Sequence, residues 1–187
     1  ISDMSVESRL TLTNMTTEAG AKNGIIEPDQ KVFDYISERG VTKYDAVYDD
    51  EDAQYEKTFE YEASELEPLV AKPFSPQNVS VVRETGSIDI DKSYIGSCTG
   101  AKYEDLLAAA KILKGRKVKV RTEVLPATIS IYKKATENGL TQIFIDAGAV
   151  VGPPTCGACC GAQMGVLAKD EVCVSTTNRN FPGRMGH

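Results

Sequence analysis

The residues of this chain best equipped for chemistry are its five cysteines: Cys98, Cys156, Cys159, Cys160 and Cys173. Cys156 and Cys159 stand in the run GPPTCGACCG (152–161). There Pro153 and Pro154 stiffen the approach, and the glycines let the backbone pass close to a bulky object. Two thiols at this spacing can face one metal. Structural zinc fits but asks for four ligands. A thioredoxin-like dithiol fits, and so does an iron–sulfur cluster. A purely structural loop is the fourth reading. Cys98 is expected where a strand ends and a helix begins, the edge of an open parallel sheet at which ligands bind. The helix N-terminus would favour its thiolate; a small buried side chain is the plainer reading. Together, Cys98, Cys156 and Cys159 can hold three corners of a cluster from neighbouring strand ends. Cys160 is expected to point away from Cys159, and Cys173 to be a core residue of a strand. The last chemical run is TTNRNFPGRMGH (176–187). Arg179 and Arg184, with Asn178 and Asn180, suit a carboxylate-binding loop, because arginine grips carboxylates in a fork that lysine cannot reproduce. A surface loop with solvated arginines is the alternative.

The elements that must position these residues follow from periodicity. Residues 5–23 carry apolar and small residues at helical spacing, with Gly24 as the expected stop. Residues 27–40 open on Pro28, show an apolar stripe of Val32, Phe33 and Ile36, and close on Gly40. Residues 45–67 hold ten Asp or Glu against the single Lys57. They read as a solvated surface, within which YEKTFEYEA alternates like a half-exposed strand. Three prolines in residues 67–78 mark an irregular connector and a domain boundary. Strands are then expected over 80–85, 92–98, 117–126 and 141–148, with helices over 103–115 and 127–139. Strand, helix, strand, helix, strand implies an α/β domain with a parallel sheet covered by helices.

The composition narrows the classes of function. The chain has 187 residues and a net charge of −6, which disfavours nucleic acid and anionic membranes as partners. No apolar run approaches the ~20 residues of a membrane helix. The start, ISDMSVESRL, resembles neither a secretory signal nor a transit peptide. An odd number of cysteines with a tight CxxCC cluster argues for a reducing compartment, the cytoplasm, rather than a disulfide framework. A chain that begins at Ile1 and stops just after a motif-like run reads as a fragment.

Four runs together resemble the aconitase superfamily: TNMTTEAGAKNG at 13–24, IGSCTG at 95–100, GPPTCGACCG at 152–161 and STTNRNFPGRMGH at 175–187. They stand in its order and spacing over nearly the whole chain. The resemblance implies incomplete three-layer αβα domains with a mostly parallel sheet, one over residues 1–66 and one over 67–187. It implies a [4Fe-4S] cluster on Cys98, Cys156 and Cys159, with Arg179, Arg184 and Asn178 binding substrate. Asn14 and Glu18 match an active-site amide and carboxylate, four residues apart on one helix face. The implied reaction is dehydration and rehydration of a small 2-hydroxy acid, first of all isopropylmalate, with citramalate and homocitrate as alternatives. The implied partner is a small subunit carrying the swivelling domain, which brings a catalytic serine, so this chain alone is expected to be inactive. Two positions depart from the pattern. Gly100 replaces a common Asn, and Cys160 a usual aliphatic residue; both alter the surroundings that tune a cluster. A cluster-free zinc- or RNA-binding relative and a thiol redox protein are the rival readings.

Overall fold

The computed structural model of the chain describes residues 1–186; His187, the end of the TTNRNFPGRMGH run, lies outside the described residues. Two compact units result, Ile1–Pro68 and a second that begins at Leu69. Among the described residues no helix is long and apolar enough to cross a membrane.

In the first unit, helix α1 (Val6–Met15) starts where the Ser5 hydroxyl accepts the Ser8 N–H. It ends well short of residue 23. Two threonines of low helix propensity, Thr16 and Thr17, follow it, and residues 16–20 continue as turns that close on Gly20 at φ +88°. Helix α2 (Gln30–Ser37) is capped by Asp29, whose carboxylate accepts the Val32 N–H. The same carboxylate takes a 2.6 Å bond from Arg9, the buried side chain of this unit. The Arg9 hydrogen bond holds the Asp29 carboxyl below its ordinary range. The expected strand at YEKTFEYEA is absent. The segment is irregular up to a 3-10 turn at Ala63–Glu65, and its aromatic side chains are exposed. An alternating strand is stable only when one face is covered.

The second unit opens with an antiparallel pair, β1 (Leu69–Ala71) and β2 (Val79–Val81). Leu69–Ala71 of the expected connector is therefore a strand, and the expected strand over 80–85 becomes a 3-10 turn after Val81. Then come β3 (Lys92–Ile95), a one-turn helix α3 (Ser97–Gly100), α4 (Tyr103–Leu113), β4 (Arg121–Val124), α5 (Ile129–Glu137), α6 (Leu140–Ala147), β5 (Val150–Val151) and β6 (Cys173–Ser175). The four later strands form one sheet in the order β5-β4-β3-β6, every pair parallel. The expected α/β architecture is present.

The strand expected over 141–148 is helix α6. Its apolar run is short enough to suit either structure, and the spacing of Leu140, Phe144 and Ala147 decides it. These three lie on one helical face and all are buried. The strand of that region is only Val150–Val151.

Alternation along β3 and β4 sorts side chains between two faces. Ile95 and Val124 face the helices, where Leu106, Ala110, Ala135, Leu140 and Phe144 build the main core. Tyr94 and Leu125 face the other way, into a smaller core with Ala158, Met164, Cys173 and Met185. Lys92 and Glu123 share this second face and form a buried ion pair at 3.4 Å, with Arg121 adding a 2.7 Å contact to Glu123. Covering this face are the loops that carry the sequence motifs.

Candidate functional site

In a parallel sheet every strand ends at the same edge. Cys98 follows the end of β3, the CxxC run follows β5, and Asn178 and Arg179 follow β6. One sheet edge thus gathers the runs around residues 98, 156–159 and 178–179, the place where open α/β sheets bind ligands.

Cys98 is exposed, in the single turn of α3. Four residues are too few to build the aligned dipole on which a helix-end effect on this thiol depends. The geometry is set instead by Ser97, held at φ +80°, a region non-glycine residues rarely adopt. Its hydroxyl accepts the N–H groups of Thr99 and Gly100, both at 3.3 Å. Backbone strain of this kind persists where neighbours over-determine it, and such residues cluster at functional sites. The Thr99 hydroxyl lies 3.0 Å from the Ser97 hydroxyl and donates to the Asn178 carbonyl oxygen at 2.8 Å. Thr176 takes the Gly96 N–H on its hydroxyl at 3.1 Å and donates to the Gly100 carbonyl at 2.8 Å. A Cβ on Gly100 would overlap the Thr176 carbonyl. The departure from Asn at this position therefore goes with close docking of the tail run on the Cys98 turn. Lys102, buried at the start of α4, donates from its ammonium to the Thr99 carbonyl and to Asp105.

On the CxxC run, Cys156 is exposed and Cys159 buried, within a 3-10 turn Gly157–Cys160. Burial pushes the Cys159 thiol up. Arg179 pulls it back, Cys98 pushes it up further, Arg184 pulls and Cys156 pushes. Those four neighbours are four of the residues singled out from the sequence, now within electrostatic reach of one sulfur. Cys160 is exposed, and its thiol contacts the Gly157 carbonyl at 3.2 Å. Cys173 lies on β6 as expected but is only partly buried; burial pushes its thiol up to about 11. Asn180 donates to the carbonyls of Lys72 and Ser75, which ties the tail run to the β1–β2 pair.

Asn14 and Glu18 belong to the first unit. Asn14 lies in the last turn of α1, and Glu18 in the turns beyond it, so the two do not share a continuous helix face. Among the described residues, no group of three His, Cys, Asp or Glu is spaced to hold a single metal ion.

Sequence reasoning missed Tyr94, Lys102, Thr99 and Thr176. Tyr94 is fully buried and its hydroxyl donates to the Cys156 carbonyl at 3.2 Å. Burial, then the nearby Cys159, holds this phenol well above the ordinary tyrosine range, so it acts as a donor. Its place in KSYIGSC, four residues before Cys98, was the available signal, but a strand tyrosine reads as core.

A parallel sheet whose strand ends collect three thiols and two arginines defines an α/β ligand-binding domain of a specific kind. The sequence profile of the aconitase family (aconitate hydratase) matches residues 1–187, and the chain belongs to that family. It is 52% identical over its whole length to the 3-isopropylmalate dehydratase large subunit 1 of Pyrococcus abyssi (strain GE5 / Orsay). It is 51% identical to the 3-isopropylmalate dehydratase large subunit of Heliobacterium modesticaldum (strain ATCC 51547 / Ice1), and 49% identical to that of Aquifex aeolicus (strain VF5), again over its whole length. The chain spans 45% of the length of each of these relatives.

Proposed function

We propose that this chain is part of the large subunit of an iron–sulfur hydro-lyase that isomerises a 2-hydroxy acid by dehydration and rehydration. The relatives' shared name points to 3-isopropylmalate as substrate, and so to leucine biosynthesis in the cytoplasm. The words "large subunit" in that name point to a small-subunit partner, which in this reading carries the swivelling domain. Residues 1–66 and 67–187 would be parts of two aconitase-type α/β domains.

Cys98, Cys156 and Cys159 would hold a [4Fe-4S] cluster. The observation that carries this reading is the convergence of Cys98, Cys156, Arg179 and Arg184 on the Cys159 thiol. The donor set fits such a group. Thiolate is the usual ligand of iron–sulfur clusters, and a four-iron cube is wider than one ion, so its thiols stand further apart than around zinc. Two arginines offset the negative charge of three thiolates. When bound, the cluster supplies a Lewis-acidic iron that polarises the substrate's C–OH bond.

The chain's own residues do the rest. Arg179 and Arg184 bind the substrate carboxylates through forked, charge-assisted bonds. Asn178 turns its amide donors in the direction set by the Thr99 hydroxyl on its carbonyl oxygen. Asn14 and Glu18 are assigned as active-site amide and carboxylate on the match of residues 13–24 to the family.

The test is iron and acid-labile sulfide in the full-length subunit after anaerobic reconstitution. About four of each are expected, with neither retained in full by Cys98→Ala. Stoichiometric zinc without sulfide, or full activity in Cys98→Ala, would refute the ligand assignment.

A further inference from the structure

We propose that Tyr94 is a positioning residue for the cluster, a buried strut that holds the Cys156–Cys159 turn in register with the Cys98 turn. This inference rests on the cluster reading above. Tyr94 meets all three motif runs. Its strand leads directly into Gly96, Ser97 and Cys98. Its backbone carbonyl accepts the Thr176 N–H at 3.1 Å, which docks the tail run. Its hydroxyl donates to the Cys156 carbonyl at 3.2 Å. That same carbonyl accepts the Cys159 N–H, also at 3.2 Å. One oxygen therefore closes the CxxC turn on itself and ties it to the strand that carries the third cysteine.

The ring is fitted rather than merely buried. A Cβ on Gly157 would overlap the Tyr94 hydroxyl, and one on Gly96 would overlap its ring. Gly165, where a Cβ would come within 2.8 Å of the same ring, closes the slot from the third side. Gly157 also sits at φ +53°, which glycine adopts freely. Leu125, Ala158 and Met164 complete the walls. Phenylalanine would fill this slot equally well. What it would lack is the hydroxyl that donates to the Cys156 carbonyl from outside the turn.

The distinguishing experiment uses the full-length subunit, reconstituted anaerobically, as wild type and Tyr94→Phe. Iron release to a chromogenic ferrous chelator is timed, the reduced cluster's paramagnetic resonance spectrum is recorded, and thermal unfolding of the cluster-free forms is compared. A neutral buried hydrogen bond lost from the cluster-bound state predicts iron release about three- to tenfold faster in Tyr94→Phe. An altered spectrum is expected with it, while the cluster-free form, which loses the same bond, keeps a cooperative transition with its melting temperature lowered by only a few degrees. Equal release rates with identical spectra would overturn the proposal. So would a cluster-free Tyr94→Phe that no longer unfolds cooperatively, because the tyrosine would then serve the fold and not the cluster. If wild type takes up no iron and sulfide, the cluster reading itself fails and this inference goes with it. If wild type loads normally and the variant behaves identically, only the strut is refuted.

Discussion

A threonine hydroxyl helps to set how Asn178 faces, and a neighbouring hydroxyl helps to set how that threonine faces. Thr99 donates to the Asn178 carbonyl oxygen while lying 3.0 Å from the Ser97 hydroxyl. Thr99→Val keeps the shape and removes the donor. In the complete enzyme with its small subunit it is expected to lower kcat/KM about three- to tenfold, read from steady-state kinetics. The cysteines separate by burial. Cys173, pushed up to about 11, stays protonated at pH 8. Iodoacetamide at that pH is expected to modify Cys98, Cys156 and Cys160 of the cluster-free protein before Cys173, as peptide mass mapping would show. Linkage follows the same shift. A thiol that titrates near 9 unfolded and near 11 folded leaves stability intact below pH 9, and stability then falls as pH rises through 11. The three motif cysteines were legible in the sequence because spacing and order betray them. Tyr94 was not, because its partner is a backbone carbonyl 62 residues away.

At the scale of elements, α4 and α5 come close to the spans their periodicity implies, β4 keeps only Arg121–Val124 of the strand expected over 117–126, and the last crossover differs in kind. The run TQIFIDAG has a short apolar stretch that suits either structure, and with Leu140 just before it the chain places Leu140, Phe144 and Ala147 on one helical stripe. Burial against the sheet chose the helix, for Phe144 sits at 1% exposure in the main core. Phe144→Ala is expected to cost about 3–5 kcal/mol, measured by urea unfolding followed by circular dichroism. An α1 that stops at Met15 follows from the same competition. Beyond it no apolar stripe continues, and threonine pays side-chain entropy in a helix. The alternating acidic segment illustrates the converse, since a period-2 pattern without a covering layer leaves the backbone irregular.

The whole molecule distributes its stability unevenly. All of the buried hydrophobic residues of both core clusters lie in the second unit, while the first buries Arg9 against Asp29. A single charged pair replaces little of the apolar burial that drives folding. Residues 69–187 expressed alone are therefore expected to unfold cooperatively on heating, and residues 1–68 alone to show no cooperative transition, both followed by circular dichroism.

The sequence by itself determined which atoms are available and in what order: three thiols, two arginines, and glycines and prolines that shape the loops between them. Those are properties of local chain chemistry, and short-range spacing reports them. Only the tertiary structure decided that β3, β5 and β6 end at one edge, that Thr176 docks on the Cys98 turn, and that Tyr94 reaches Cys156. Each of these depends on the register of parallel strands joined by long crossovers. That register is set by burial on both faces of the sheet, which no local pattern encodes.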